Sequence, residues 1–281
     1  MSRLPARLTP FFFDSSQPPV PPDTPPTNNR GDWTESHPEG WARKTVAVNF
    51  IGTVVHERPD PFATEEQKQK RKAKLDKMAA RNERVLNEAL FILSQSPTGR
   101  DVLEQMTKEG YRIVFDDKRT GDRGAGGLCD PSDKTIVLRG HDNAAYLALL
   151  IGHEAVHAVQ NTRHDLFPST RHKPEVGIRL SFAIEADAYA QQAQIALELA
   201  YGDPDGPADQ IKFEEPVEQM RQRFPDIMRA AERVMTHADN MKNGASVAAA
   251  FEAFYGNFHL RTFYEDAHTE WAETYAPHLK G

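Results

Sequence analysis

The chain has a single cysteine, Cys129, among 281 residues. One thiol excludes an intramolecular disulfide and a cysteine-rich zinc ribbon. It points to synthesis in a reducing, cytoplasmic compartment. Long apolar runs are missing as well. No stretch reaches the roughly 18 residues that would read as a membrane-spanning helix. The opening MSRLPARLTPFFFDSS has an apolar core of only Phe11, Phe12 and Phe13, interrupted by proline, and does not read as a secretory signal. Export without a cleaved signal peptide stays open beside a cytoplasmic location. There is no excess of positive charge. Lys and Arg number 34 against 41 Asp and Glu, a net charge of −7, which argues against specific nucleic-acid binding. Hydrophobic residues make up only 39%, fewer than in an ordinary globular domain. Part of the chain is therefore expected to lie outside a packed core.

Proline, by contrast, is plentiful, and much of it falls in DSSQPPVPPDTPPTNNRGDWTESHPEG (14–40). Proline fixes φ and removes a donor, and nothing here can bury a core, so residues 1–44 read as a disordered, polyproline-like tail. TVAVNFIGTVV (45–55) alternates like a strand. From Thr64 to Ser96 the chain has neither glycine nor proline and opens with a threonine cap followed by acids, the pattern of a long helix. Its second half offers Val85, Leu86, Ala89, Leu90, Ile92 and Leu93 for packing. Its first half carries Lys68, Lys70, Arg71, Lys72, Lys74, Lys77, Arg81 and Arg84. That basic stretch, 68–84, reads either as a solvated face or as a docking site for an anionic partner such as membrane lipid or nucleic acid. Residues 45–96 form an N-terminal segment on this reading.

Residues 97–202 read as the core. Ser96-Pro97 opens a helix that stops at Gly110. YRIVFDD (111–117) and KTIVLR (134–139) read as two strands joined by a mobile glycine-rich loop, TGDRGAGG (120–127). That loop lacks the Lys-Ser/Thr of a phosphate-binding loop and opens no helix. Two apolar helices follow, about 141–160 and 176–202. The remainder, 203–281, predicts helices at about 214–241 and 245–275 that pack on the core. Phe251, Phe254, Tyr255, Phe258, Phe263, Tyr264 and Trp271 form an aromatic stripe in the last of these, at a spacing that suits core packing. The fold class is α+β and mostly helical, with a small antiparallel sheet.

Within the first apolar helix stands LLIGHEAVHAVQ (149–160). Residues i and i+4 share a helix face, so His153 and His157 point the same way, close enough to share one ion. Glu154 lies beside the first of them. A charged glutamate and two histidines in apolar surroundings would cost several kcal/mol unless something compensates, and a divalent cation is a ready compensator. A catalytic zinc takes three protein ligands and leaves a position for water. Cys129, another histidine or an acid can supply the third. Glu185 and Asp187 stand in FAIEADAYAQQ, on an alanine-rich helix far enough downstream for an antiparallel return. Glu185 is the expected ligand and Asp187 the alternative; the unused acid is expected to hold a ligand histidine by its other ring nitrogen.

GHEAVHAVQ followed by EADAYA resembles the gluzincin type of zincin metallopeptidases, which use HExxH plus a glutamate on a second helix. It is most similar to bacterial metallopeptidases in which an HE-x-x-H-A-x-Q helix precedes an E-A-D helix. The likeness covers about residues 97–202. The metzincin extension is absent, since position 160 is Gln and 163 is Arg. The resemblance implies a zincin-like core with an active-site helix and a following ligand helix, and one Zn²⁺ per chain held by His153, His157 and Glu185. It implies Glu154 as general base and a protein or peptide as substrate. It also implies that KTIVLR is the edge strand holding the peptide extended. An oxyanion donor is required too. Tyr189, one turn beyond Glu185, is a candidate, as are His164, His172, Tyr264 and His268. Cys129 is either a small residue in a turn or an inhibitory thiolate on the metal. Two other readings stand beside the protease: a catalytically inactive, zincin-like binding or regulatory protein, and an exported effector or toxin protease.

Overall fold

Thr64 opens the first helix with a reciprocal cap. Its hydroxyl accepts from the Gln67 amide at 3.3 Å, and the Gln67 side chain accepts from the Thr64 amide at 2.8 Å. Helix α1 (Glu65–Leu93) follows. Its basic half stays at the surface, where Lys68 pairs with Glu65 at 2.7 Å and Lys70 with Glu66 at 2.6 Å. Exposed pairs like these contribute little to stability. Burial begins at Asn82 and takes in Val85, Leu86, Ala89, Leu90, Ile92 and Leu93. Each large apolar side chain buried there contributes roughly 1.5–3 kcal/mol. The computed structural model describes residues 45–56, 60, 62–122, 124–164, 174–202, 211–235, 244–257, 259–262 and 266. The proline-rich stretch 1–44 lies outside them.

Helix α2 (Pro97–Lys108) starts with proline at a position whose N–H has no intrahelical partner, and Ser96 caps it. Strand β2 (Arg112–Phe115), the short helix α3 (Asp117–Gly121), strand β3 (Gly127–Asp130) and strand β4 (Thr135–Leu138) follow. With β1 (Asn49–Thr53) they form one sheet of order β1-β2-β4-β3.

The sheet is mixed, which corrects the antiparallel expectation. β1, β2 and β4 run parallel; only β3 and β4 are antiparallel, with Cys129 opposite Ile136. The cause lies between β2 and β4. Asp116 caps α3 by accepting from the Arg119 amide at 2.9 Å. The chain turns there, lays down β3, and reverses again into β4. The supposed mobile loop therefore holds a helical turn and leads into an additional strand. KTIVLR is consequently interior, and the sheet edges are β1 and β3.

Helix α4 (Ala144–His164) is capped by Asn143, whose side chain accepts from the Tyr146 amide at 2.8 Å. It packs against α1, α2, α5 (Pro174–Tyr201) and β3. Gly152 permits the close approach of α5: a Cβ there would sit 2.9 Å from the Ile195 Cδ1. The 214–241 helix is broken in two, α6 (Glu215–Arg223) and α7 (Pro225–Val234). Pro225 lacks an N–H and pushes Phe224 out of helical geometry, to φ −134° and ψ 61°. Helix α8 (Ala245–Tyr255) supplies Phe254, fully buried against Phe182. Phe258, Phe263, Tyr264 and Trp271 of the aromatic stripe lie outside the described residues. One continuous apolar cluster runs from Val85 to Phe254.

A buried carboxylate ties three helices together. Glu198 of α5 accepts from the Ser96 hydroxyl at 2.5 Å, the Thr98 amide at 2.9 Å, the Thr98 hydroxyl at 2.7 Å and the Gln194 side chain at 2.8 Å. It thus lies at the positive end of α2. Gln194 in turn accepts from Ser246 of α8. Removing the carboxylate strands several buried donors, so Glu198→Ala is expected to lower unfolding free energy by about 3 kcal/mol. Urea titration checks this; a loss below about 1 kcal/mol would contradict it.

Candidate metal centre

The register of α4 against α5 decides which side chains meet. Gln160 near the end of α4 reaches Ile184, while Leu149 near its start meets Gln192. The helices are therefore antiparallel, and the middle of α4 faces Glu185. His153 Nε2 and His157 Nε2 stand 3.0 Å apart. Glu185 Oε2 is 3.5 Å from the first, and its Oε1 is 3.4 Å from the second. Tetrahedral zinc with ligand bonds of about 2.0–2.1 Å requires donor atoms about 3.3–3.4 Å apart. The observed spacings bracket that value. All three residues are at most 1% exposed, and together they form the group capable of holding one ion among the described residues.

Asp187 points elsewhere. Its Oδ2 accepts from Gln160 Nε2 at 2.7 Å, and Gln160 Oε1 lies 2.8 Å from His157 Nδ1. The acid thus reaches the ligand histidine through an intervening glutamine. Tyr189 lays its ring against that of His153, centroids 4.6 Å apart, and stacks on Phe254 at 5.0 Å. Cys129 lies in β3, not in a turn, with its thiol hydrogen-bonded to Tyr111 and its acidity suppressed by burial. It stands apart from the ligand group. His172, Tyr264, His268 and the side chain of His164 lie outside the described residues.

Glu154 is fully buried, and no side chain hydrogen-bonds to its oxygens; the Cys129 main-chain N–H of β3 is directed toward the carboxyl, outside good hydrogen-bond geometry, and pulls its pKa down slightly. Gly127 at the start of β3 lies over it: a Cβ there would be 3.1 Å from Glu154 Oε1. Burial, opposed by His157 and reinforced by the charge of Glu185, pushes the Glu154 carboxyl up to about 8. Burial also acts to raise Glu185, but the charge of His157 and hydrogen bonds from both histidines hold it at about 2. Burial lowers His153, whereas Glu185 overcomes the same penalty at His157 and raises it. A cation at this point would face the Glu185 carboxylate, two ring nitrogens and the buried Glu154 carboxyl. The donor set fits zinc.

Gln160, Gly127 and β3 were not identified as parts of the site from sequence. A glutamine one turn beyond His157 in an apolar helix was the available signal for the first. Glycine without a side-chain pattern concealed the other two.

A buried His–His–Glu cluster with a further buried carboxyl beside it has the donor set that could hold a single metal ion. The chain belongs to the Putative metallopeptidase family (DUF6782), whose model matches residues 63–272. That description suggests peptide hydrolysis by a metal enzyme. No curated protein and no solved structure matches the chain. No helix among the described residues is long and apolar enough to cross a membrane.

The buried Glu154 makes metal-free stability depend on pH. Its folded pKa of about 8 exceeds its ordinary value of 4.5. The native state therefore binds the proton more tightly, and stability is lost as pH rises from about 4.5 to about 8. In chelator, Glu154→Gln is expected to be more stable than the wild type at pH 8 by roughly 2–4 kcal/mol. The difference should shrink below about 1 kcal/mol at pH 5. Urea midpoints at the two pH values test this, and a difference independent of pH would contradict it.

Proposed function

We propose that this protein is a zinc-dependent endopeptidase in which Glu154 is the general base. The observation that carries the reading is a buried carboxyl with no side-chain partner next to three donor atoms at zinc spacing. His153, His157 and Glu185 would hold one Zn²⁺ per chain. When bound, the ion supplies Lewis acidity toward water and the scissile carbonyl. Glu154 takes the proton of the attacking water and delivers it to the leaving amine. Glu154 is also the group whose environment is tuned, since its pKa of about 8 falls as positive charge arrives beside it. β3 is the edge strand beside the HExxH helix, with hydrogen-bonding capacity to receive an extended peptide. The Tyr189 ring steadies His153, and its hydroxyl is our candidate for the oxyanion donor. His153, Glu154, His157 and Glu185 are all buried, so peptide entry requires an opening motion.

That burial also favours a second reading, a zincin-like regulatory protein that holds metal and cuts nothing. The basic face of α1 at 68–84 would then engage an anionic partner. Metal analysis with a proteome-wide cleavage screen separates the two. The protease reading expects about one zinc per chain and cleavage by the wild type. Glu154→Gln should keep the zinc and lose cleavage by about 10²-fold or more. Glu185→Ala should lose most of the zinc, and Asp187→Ala should retain it. Full activity of Glu154→Gln would contradict the mechanism. A zinc-loaded wild type that cleaves nothing would select the regulatory reading.

A further inference from the structure

Two glutamines flank the ligand group, and their bonding is reciprocal. Gln160 is on α4. Its Nε2 donates to the Ile184 carbonyl of α5 at 3.0 Å and to Asp187 Oδ2 at 2.7 Å. Gln192 is on α5. Its Nε2 donates to the Leu149 carbonyl of α4 at 3.2 Å. Each brace starts on one helix and ends on the main chain of the other. Ile184 immediately precedes Glu185, and Leu149 stands one turn before His153. The braces therefore span the helix pair on both sides of the ligands.

The bonds of Gln160 decide which atom its amide turns toward a histidine. Both amide hydrogens of Gln160 are committed to oxygen acceptors. A flipped amide would set oxygen against the Ile184 carbonyl and the Asp187 carboxylate. Gln160 Oε1 must therefore face His157 Nδ1, which lies 2.8 Å away. An oxygen at that nitrogen requires it to carry hydrogen. The remaining nitrogen, Nε2, keeps its lone pair for a cation. Gln192, 2% exposed, braces the helix pair through Leu149, and its Oε1 makes no hydrogen bond among the described residues.

We propose that Gln160 is a positioning residue. It selects the Nδ1–H form of His157, so that the Nε2 lone pair of that ligand faces the ion. Asp187 acts through Gln160 by holding its amide in that orientation. Gln160 touches neither the ion nor the substrate. Its effect falls on metal affinity and ligand geometry. This inference rests on the metal-centre reading above.

The experiment is zinc affinity by chelator competition on the purified full chain at pH 7.5, with the visible spectrum of the Co²⁺-substituted protein as a second readout. Gln160→Met keeps the bulk and removes the acceptor. It is expected to weaken zinc about 10–100-fold and to alter the Co²⁺ bands. The double variant Gln160→Glu/Asp187→Asn returns an acceptor to His157 and relieves carboxylate repulsion. It is expected to recover affinity to within about threefold of wild type. Asp187 is half-buried on the wall of a cavity of about 460 Å³, so exchange there does not open a core void. The double variant also decides the question if Gln160→Met fails to fold: zinc binding well below wild type would then overturn the inference. A folded Gln160→Met that binds zinc as tightly as wild type would overturn it too, as would a folded double variant no tighter than Gln160→Met. A wild type that binds neither zinc nor cobalt would instead overturn the metal reading, and the inference with it.

Discussion

Two imidazoles and the Glu185 carboxylate are buried between α4 and α5, with the Glu154 carboxyl buried beside them under β3. Burial penalises every charge there, and Coulomb interactions at such separations are several-fold stronger than at a surface. Each group is affected: His157 and hydrogen bonds hold Glu185 at about 2 against the burial penalty, burial drives Glu154 up to about 8, and the two histidines are pushed in opposite directions. A set like this is stable only if a positive charge sits among it or if protons take its place. The need for that charge is the constraint on which the rest of the structure depends.

The scaffold is arranged around that constraint. Gly152 brings α5 close to α4 directly beside His153. The Glu198 network fixes α5 to the start of α2 and, through Gln194, to α8. β3 lies across the other side of α4, and Gly127 leaves room for the Glu154 carboxylate where any side chain would crowd it. The Tyr189 ring lies against His153 and is itself backed by Phe224 and Phe254. The apolar cluster thus provides stiffness, and the few polar groups in it supply direction.

The helical parts of this design were legible in the sequence because helical signals are local. His153 and His157 share a face by spacing alone, and an acid in the alanine-rich run around Glu185 was as conspicuous as the histidines. The cap at Thr64 and the start at Ser96-Pro97 were equally plain. Strand order was not legible, because pairing joins residues far apart in the chain. GLCD at 127–130, directly after a glycine-rich run, is too short to announce a strand, yet it becomes a sheet edge and displaces KTIVLR to the interior. The break at Phe224-Pro225 was visible as a proline but was read through. Gln160 and Asp187 illustrate a further limit. Their identities were in view, and the role of one in orienting the other depends on the α4–α5 register.

The most direct measurement is anomalous X-ray scattering at the zinc edge from crystals of the zinc-loaded protein. One peak per chain is expected, about 2.0–2.1 Å from Nε2 of His153 and of His157 and within similar reach of a Glu185 oxygen. Glu154 should stand outside the ligand sphere. A peak ligated by Asp187 or Glu154 in place of Glu185, or zinc bound only at the surface, would contradict the account.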